Sequence, residues 1–599
     1  MSVRLIPHAL LRWVLALIGF TAIVAQIVLV RELVVVFHGN EMSLGLILAC
    51  WLLWTAIGSG LLGKAAARAR SPGTMMAVLQ ATLALVLPLA IVTVRAAGGA
   101  FGVATGEILG PGPMLLASNV ALGVVCLVSG SLFAAGSRLY ARSLGRSTAA
   151  ATGAVYVLEA LGATAGGAIA SLLLIRYLDS VEIALALSLL NLASAAALAV
   201  SGRWRRAAAI AALVGIFAFV VFPLGAPALE SASLRYMWRG FDLLDSESTI
   251  YGNLAVLAAG DTRTVYVNGV PMVTAGDVQS AEEAVHYALL EHPAPKRLLL
   301  LGGGIGGALA EALKHPSLEH AVYVELDPAI LDLGRSYFSQ TWSAVAADPS
   351  VVTHHTDGRL FLSRTTEHFD VIIVNLPDPT TAQLNRFYTR EFFEEAARHL
   401  TPGGVLAVRV TGAENYIGAE LARLLRCINK TLQGVFDEVV AVPGTTIHFF
   451  AADENGALTS DPGVLVERLG LRHIETQYVR DYYIAFNMSP DRMADLSAQI
   501  EPRPDTPVNR DLAPAAYYFD MLLWSTRFHG PFQRAIETLG RVRFAGVLLA
   551  LWLAAAVDAA LALWRARGRR RLRAGAAGCV AAMGFTMIGI EVMILLAFQ

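Results

Sequence analysis

Four places in this chain carry residue types at spacings that suit work on a nucleoside. The first is a glycine turn, Gly302-Gly303-Gly304-Ile305-Gly306, entered from four leucines and left through a helical stretch. Glycines there let the backbone turn sharply and come close to a ligand where any Cβ would clash. The second is Glu325, which ends an apolar run about twenty positions further on, the place from which a carboxylate can hold both hydroxyls of a ribose. The third is Asp357-Gly358, whose carboxylate suits an adenine amine; capping the helix around Leu360 is the plainer use of the same side chain. The fourth is Asn375-Leu376-Pro377-Asp378-Pro379, which follows Val371–Val374 and places a carboxylate, Asp378, just beyond a buried strand.

Chemistry of this kind needs strand ends gathered along one edge of a sheet. Arg297–Asp327 reads as strand, glycine turn, helix, strand, the first unit of a nucleotide-binding βαβ fold. Further strands are expected at Val351–His355, Val371–Val374, Val405–Val410, Val439–Val442 and Thr446–Ala451, with helical stretches between most of them. Pro443-Gly444 makes the last two a hairpin, so a mainly parallel, Rossmann-like sheet of the methyltransferase type is expected, with helices on both faces. Before it, Ser246–Ala275 alternates apolar and polar residues around Gly260-Asp261 and Asn268-Gly269, the pattern of a small antiparallel sheet. Ala281–His292 reads as a helix. The nucleoside site then lies at the carboxyl ends of the strands.

This soluble α/β region is embedded in a very apolar chain. Of 599 residues, 55% are hydrophobic and 16% charged, and the mean hydropathy is +0.56. Candidate spans fall at about 13–37, 42–63, 74–95, 114–136, 150–175, 181–201 and 207–225, then at about 544–564 and 575–599. The expected organisation is an N-terminal transmembrane bundle over 1–228, a small β-sheet subdomain over 240–280, the Rossmann-like domain over 281–535, and C-terminal transmembrane helices over 541–599. The chain thus reads as a multi-pass α-helical membrane bundle plus a soluble α/β domain. The first apolar run continues past Arg31 and Glu32 and is no cleavable signal peptide.

Basic residues at Lys64–Arg70, Arg138–Arg146, Arg203–Arg206 and Arg565–Arg573 mark a cytoplasmic side and a cytoplasmic N-terminus. Seven spans would then carry the soluble domain across the membrane, whereas a nucleoside cosubstrate, and Arg235, Arg239, Arg541 and Arg543, argue for the cytoplasm. The sequence leaves the side open. Gln26, Glu159, Asp558 and Glu591 lie inside apolar runs and need partners there. Glu159 is the best of them for an intramembrane function, with an interhelical hydrogen bond as the alternative. Glycines such as Gly58, Gly60, Gly63, Gly162 and Gly167 suit close helix packing. Gly19-Phe20-Thr21 with Gln26 recurs as Gly584-Phe585-Thr586 with Glu591. A second bundle is expected to begin there, with the sequence stopping inside it at Gln599. Three of the four cysteines fall in spans, so neither a disulfide framework nor a CxxC site can be built. The histidines, His354-His355 included, lack ligand spacing, and no metal site is expected. No basic, aromatic-interleaved patch points to nucleic acid.

From about Thr249 to Ala451, roughly a third of the chain, the sequence resembles the spermidine synthases (polyamine aminopropyltransferases), in the branch fused to membrane helices. The pieces that carry the resemblance are YGNLAVL, EEAVHYALLEHP, LLLLGGGIGGALAEALKHP, VYVELDP, DGRLFL, FDVIIVNLPDP, LNRFYTREFF and LTPGGVLAVRV. The resemblance implies transfer of an aminopropyl group from decarboxylated S-adenosylmethionine to a diamine, with no tightly bound cofactor and no metal. It implies a nucleoside and a polyamine as small-molecule partners, and dimers are common in the family. Carried onto this chain, the cosubstrate is held by Gly302, Gly303, Gly304, Ile305, Gly306, Glu325, Asp357 and Gly358. Asp378 and Asn375 stand at the catalytic positions, and His286 and Tyr388 at substrate-contact positions.

The departures fall in the polyamine half of the site. Ile305 replaces an aspartate that holds the aminopropyl amine, and Asn375 replaces the catalytic aspartate, leaving Asp378 as the acidic group facing the amine. His286 and Ala288 stand for a tyrosine and an acidic residue, with Glu282 and Glu283 close by. Three readings follow: a membrane-bound aminopropyltransferase; another S-adenosyl-dependent transferase, such as a methyltransferase using S-adenosylmethionine itself; and a nucleoside- or polyamine-binding domain without chemistry, fused to a transporter-like bundle.

Overall fold

The structure, a computed structural model, describes residues 7–39, 41–63, 71–145, 147–200, 214–215, 217, 223–528, 533–534, 536, 538, 544–565, 578–587 and 589–590. Most of the expected seventh span, Glu591, Gln599 and the basic clusters at 64–70, 203–206 and 567–573 lie outside the described residues, as do Arg146, Arg541, Arg543 and the side chain of Asp558. The chain divides into two units. The first comprises Met1–Ala281, Gly303–Ala310 and Glu325–Asp348; the second comprises Glu282–Gly302, Glu311–Val324 and Pro349–Gln599.

The first unit opens with helices α1 (His8–Phe37), α2 (Glu41–Ile57), α3 (Pro72–Arg95), α4 (Pro111–Leu144), α5 (Thr148–Ile169) and α6 (Ser180–Val200). Six helices of the described residues are long and apolar enough to cross a membrane. Starts follow local chemistry: prolines stand in the first turns of α3 and α4, and Ser71 and Ser147 cap α3 and α5 through Thr74 N and Ala150 N. Of the glycines expected to serve packing, Gly58, Gly63 and Gly162 do so, whereas a Cβ on Gly60 or Gly167 would meet nothing within 4 Å. A Cβ on Gly162 would lie 1.8 Å from Ala16 O, and one on Gly19 would lie 1.9 Å from Glu159 O, so α1 and α5 cross backbone against backbone. Glu159 therefore sits at this crossing through its main chain.

A shorter helix, α7 (Ala226–Met237), supplies Glu230 and Ser233 to Arg95 at the end of α3. Arg95 is 4% exposed and also donates from Nε and Nη2 to the two carboxylate oxygens of Glu32, each at 2.8 Å. A bidentate fork of this kind is how a guanidinium can be buried. The small sheet follows, antiparallel in the order β1 (Asp242–Ser248), β2 (Asn253–Ala259), β3 (Thr262–Val267) and β4 (Val270–Thr274). It begins four residues earlier than the alternation from Ser246 indicated, because Asp242 and Leu243 already pair with β2. Arg31 Nη2 donates to Thr249 O at 2.7 Å and fastens the sheet to α1.

Helix α8 (Val278–Glu291) leads into the second unit, whose sheet is formed by β5 (Arg297–Leu301), β6 (His320–Glu325), β7 (Val351–His355), β8 (Phe369–Val374), β9 (Leu400–Thr411), β10 (Glu438–Val442) and β11 (Thr446–Ala452). Their order in space is β10-β11-β9-β8-β5-β6-β7. β5 pairs in parallel with β6 and β8, and β8 with β9, while β11 runs antiparallel to β9 and β10. This is the expected sheet and its closing hairpin. β5 and β8 are almost continuous apolar runs because helices cover both faces of a parallel sheet. Helix α9 (Ala419–Gln433) buries Leu421, Leu424, Leu425, Ile428 and Leu432 in that core, and α10 (Ala515–Ser525) adds Ala516.

Candidate functional site: the carboxyl ends of the parallel strands

Register decides what the site can contain. Leu301 lies opposite both Val324 and Val374, and Val374 lies opposite Val408. The next residues along the chain are Gly302, Glu325, Asn375 and Arg409. Three of these four were expected; Arg409 was not.

In the first unit, the glycine turn forms a single 3-10 turn over Gly304–Gly306, preceded by Gly303 at φ +65°. Ile305 is fully buried and packs on Gly334, which begins the explanation of its type: at this position the chain points an aliphatic side chain into the core rather than a carboxylate toward an amine. Glu325 is 7% exposed, and its Oε1 accepts from Leu326 N at 2.9 Å. Asp327 caps Pro328–Tyr337 and accepts from Thr249 Oγ1 at 2.6 Å.

In the second unit, Gly302 adopts φ +76°, and a Cβ there would lie 2.4 Å from Leu376 Cδ2. Glycine is thus required at the point where β5 passes the loop after β8. Asp357 caps Gly358–Arg364 through Leu360 N at 2.9 Å, with Arg386 at 3.5 Å from the same oxygen. Gly358 fits closely beneath Phe387 and Leu301.

The loop Asn375–Asp378 is held from three sides. Asn375 Oδ1 accepts from Arg409 Nη1 at 2.6 Å, and Asp378 Oδ1 accepts from Thr411 N at 2.9 Å. The hydroxyl of fully buried Tyr388 donates to Pro377 O at 2.8 Å, with Leu376 O and Arg409 O within 3.4 Å. Tyr388 therefore fastens the loop. Burial pushes the Asp378 carboxyl upward, against the hydrogen bond from Thr411 and the charge of Arg409. Asp520, on α10 and 8% exposed, is pushed up to about 7 by burial and by the charge of Asp378. A carboxyl titrating near neutrality beside a second one is a useful proton acceptor.

His286 stands elsewhere in function. It is fully buried; Nδ1 lies 3.0 Å from His315 Nε2, and Nε2 lies 3.1 Å from Glu311 Oε2. Arg472 Nη1 closes the row at 3.0 Å from His315 Nδ1. Both ring nitrogens of His286 are occupied by the protein, so it has none to offer an acceptor amine. The neighbouring acids take different parts. Glu282 accepts from the backbone N–H groups of Gln477, Tyr478 and Val479 at 2.6–2.8 Å. Glu283 accepts from Tyr483 Oη at 2.6 Å and lies 3.9 Å from His448 Nε2, and His448 is the β11 residue paired with Arg409. Among the described residues, no group of three His, Cys, Asp or Glu side chains could hold a metal ion.

Arg409 and Asp520 were missed by sequence reasoning, although each leaves a signal: a guanidinium inside the apolar strand run GVLAVRV, and a carboxylate inside the apolar helix AAYYFDMLLWS. Sheet order and the glycine turn together define a Rossmann-like α/β domain in a chain that also carries six long apolar helices among the described residues. Comparison with known proteins makes this specific. The family profile described as spermine/spermidine synthase domain matches residues 279–448. A relative from Pyrobaculum calidifontis, named polyamine aminopropyltransferase, is 33% identical over 208 residues, covering 33% of this chain and 70% of its own length. The chain belongs to the spermine/spermidine synthase family. One of the same name from Leptospira biflexa is 37% identical over 185 residues, 31% of this chain, and the match spans 60% of that relative's length. A third, from Mycobacterium tuberculosis and also named polyamine aminopropyltransferase, is 28% identical over 488 residues, 78% of this chain and 91% of its own. That alignment extends well beyond the family domain.

Proposed function

We propose that this chain is a membrane-bound, spermidine synthase-like aminopropyltransferase that uses decarboxylated S-adenosylmethionine and an amine. The observation that carries the reading is the pair of parallel strand ends leading to Gly302 and Asn375, in a chain of this family. Glu325 holds the ribose hydroxyls, Asp357 faces the adenine amine, and the glycine turn admits the nucleoside. The acceptor nitrogen, once deprotonated, attacks the methylene carbon bonded to the sulfonium. The C–N bond forms as the C–S bond breaks, the electron pair stays on sulfur, and methylthioadenosine leaves as a neutral thioether. Asn375 has no basicity, so the proton shed by the nitrogen passes to the Asp378–Asp520 carboxyl pair.

The bundle anchors the enzyme in a membrane. Leu85, Leu89, Leu116, Val120 and Leu161 are each more than half exposed on its apolar helices, a surface suited to lipid and costly in water. A cosubstrate of this kind is made inside cells, which supports a cytoplasmic soluble domain.

One observation favours a second reading, transfer from S-adenosylmethionine itself: Ile305 and Asn375 stand where the resemblance expects acids that suit cationic chains, Ile305 is fully buried, and Asn375 accepts from Arg409. Calorimetric titration of the purified full chain with decarboxylated S-adenosylmethionine, S-adenosylmethionine and methylthioadenosine separates the two. Binding of the decarboxylated donor, and methylthioadenosine release on adding an amine, is expected. Preference for S-adenosylmethionine moves the protein to the second reading, and binding of none of the three sinks both.

A further inference from the structure

A guanidinium lies where the amine half of this site should attract cations. Arg409 follows Val408 at the end of β9, and its Nη1 is 2.6 Å from Asn375 Oδ1. It is half-buried, and two residues further along β9 Thr411 N donates to Asp378 Oδ1 at 2.9 Å, so the strand end that carries Arg409 also holds the Asp378 carboxylate. On the neighbouring strand it pairs with His448, whose far side faces Glu283. The end of the site around the loop after β8 therefore carries one fixed positive charge and one carboxylate, side by side.

Such a pole repels one end of a diamine. Arginine stays charged at every accessible pH, so an ammonium brought beside it is disfavoured unless it faces Asp378 or sheds its proton. A group bearing both an ammonium and a carboxylate meets the opposite situation. Its ammonium can face Asp378 while its carboxylate faces Arg409, the planar fork that suits carboxylates best.

We propose that the Arg409–Asn375–Asp378 pole receives a zwitterionic amino-acid group rather than the end of a diamine. The inference rests on the transferase reading above and names what that site selects. Two sources can carry the group: the acceptor amine, if it is an amino acid, or the donor, if S-adenosylmethionine enters with its α-carboxylate intact.

Two pairs of compounds differ by one carboxylate each and separate these sources: S-adenosylmethionine against its decarboxylated form, and ornithine against putrescine. Binding of each is measured by calorimetry on the full chain, the acceptors being added with methylthioadenosine present. A preference of at least tenfold for the carboxylated member is expected in one pair, and the pair in which it occurs identifies the source. Arg409→Gln should bring that ratio close to one, and Arg409→Lys should keep part of it. A guanidinium that merely fastens the loop would weaken both members of a pair alike. Asn375→Asp guards against a variant that fails to fold: a carboxylate placed on Arg409 should move the preference toward the decarboxylated member. Nucleoside binding with no carboxylate preference in either pair, or with putrescine favoured, overturns the inference and leaves the transferase reading standing. Absence of all nucleoside binding overturns the transferase reading instead.

Discussion

Replacing Asp520 with asparagine should stabilise the protein at alkaline pH while impairing transfer. The carboxyl is 8% exposed on α10, and its proton is held up to about 7 by burial and by Asp378. A group whose folded value is raised above its ordinary 3.8 costs nothing while both states are protonated. The cost grows as pH rises from about 4 to about 7 and is constant above that. Moving a carboxyl over that interval destabilises the folded chain by about 4 kcal/mol once it is fully ionised. Asparagine keeps the shape and removes the charge, so Asp520→Asn should recover most of this at pH 8 and little at pH 4.5. For a domain of this size the gain corresponds to roughly 8–16 °C in the melting midpoint of the α/β domain. The assay is a pair of thermal melts of wild type and variant in detergent across pH 4.5–8.5, with transfer rates measured over the same range. The variant's advantage should shrink on acidification, and a limb near neutrality should vanish from its pH–rate profile. An advantage independent of pH, or a loss of stability at pH 8, would refute the burial argument.

Glu282→Ala removes the acceptor of three backbone donors at Gln477–Val479, of which only that of Val479 is fully buried, so a loss of about 1–3 kcal/mol is expected, together with faster proteolytic cleavage at that loop. His315 is held neutral, its value driven down to about 2 by burial beside His286 and Arg472, so it supports stability above about 6.5 and withdraws that support as pH falls. His315→Gln should flatten the acid side of the stability profile, by about 2 kcal/mol at pH 5; an unchanged acid limb would count against the neutral pair. Gly302→Ala forces a side chain to φ +76° at about 1–2 kcal/mol and pushes Leu376 aside. Nucleoside affinity should fall at least tenfold in calorimetry with the circular dichroism spectrum unchanged.

The strands, the small sheet, the glycine turn and the six described apolar helices were legible because each is written in neighbouring residues. Leu298–Leu301 announces a buried parallel strand, Asn268-Gly269 a hairpin, and the length of an apolar run sets a span. Resemblance of short motifs put Asn375 and Asp378 in the loop after one strand and Tyr388 in a separate motif, and the register of β5, β8 and β9 put the strands of the sheet side by side. Roles were harder. Tyr388 has the aromatic ring of a substrate contact but spends its hydroxyl on the loop's own carbonyls. His286 has the chemistry of a base, yet its nitrogens are taken by His315 and Glu311.

Patterns a few residues long were thus enough to establish what kind of chain this is: a Rossmann-like α/β domain amid apolar helices, with Ile305 and Asn375 where the family resemblance leads to an expectation of acids. Which charges meet was settled by contacts between distant segments. Arg409 reaches Asn375 from 34 positions away, Glu32 meets Arg95 from 63, and Glu282 caps a loop 195–197 positions downstream. Periodicity cannot encode such pairs, because the energy of a buried charge depends on the partner that folding brings to it and not on its neighbours in the chain.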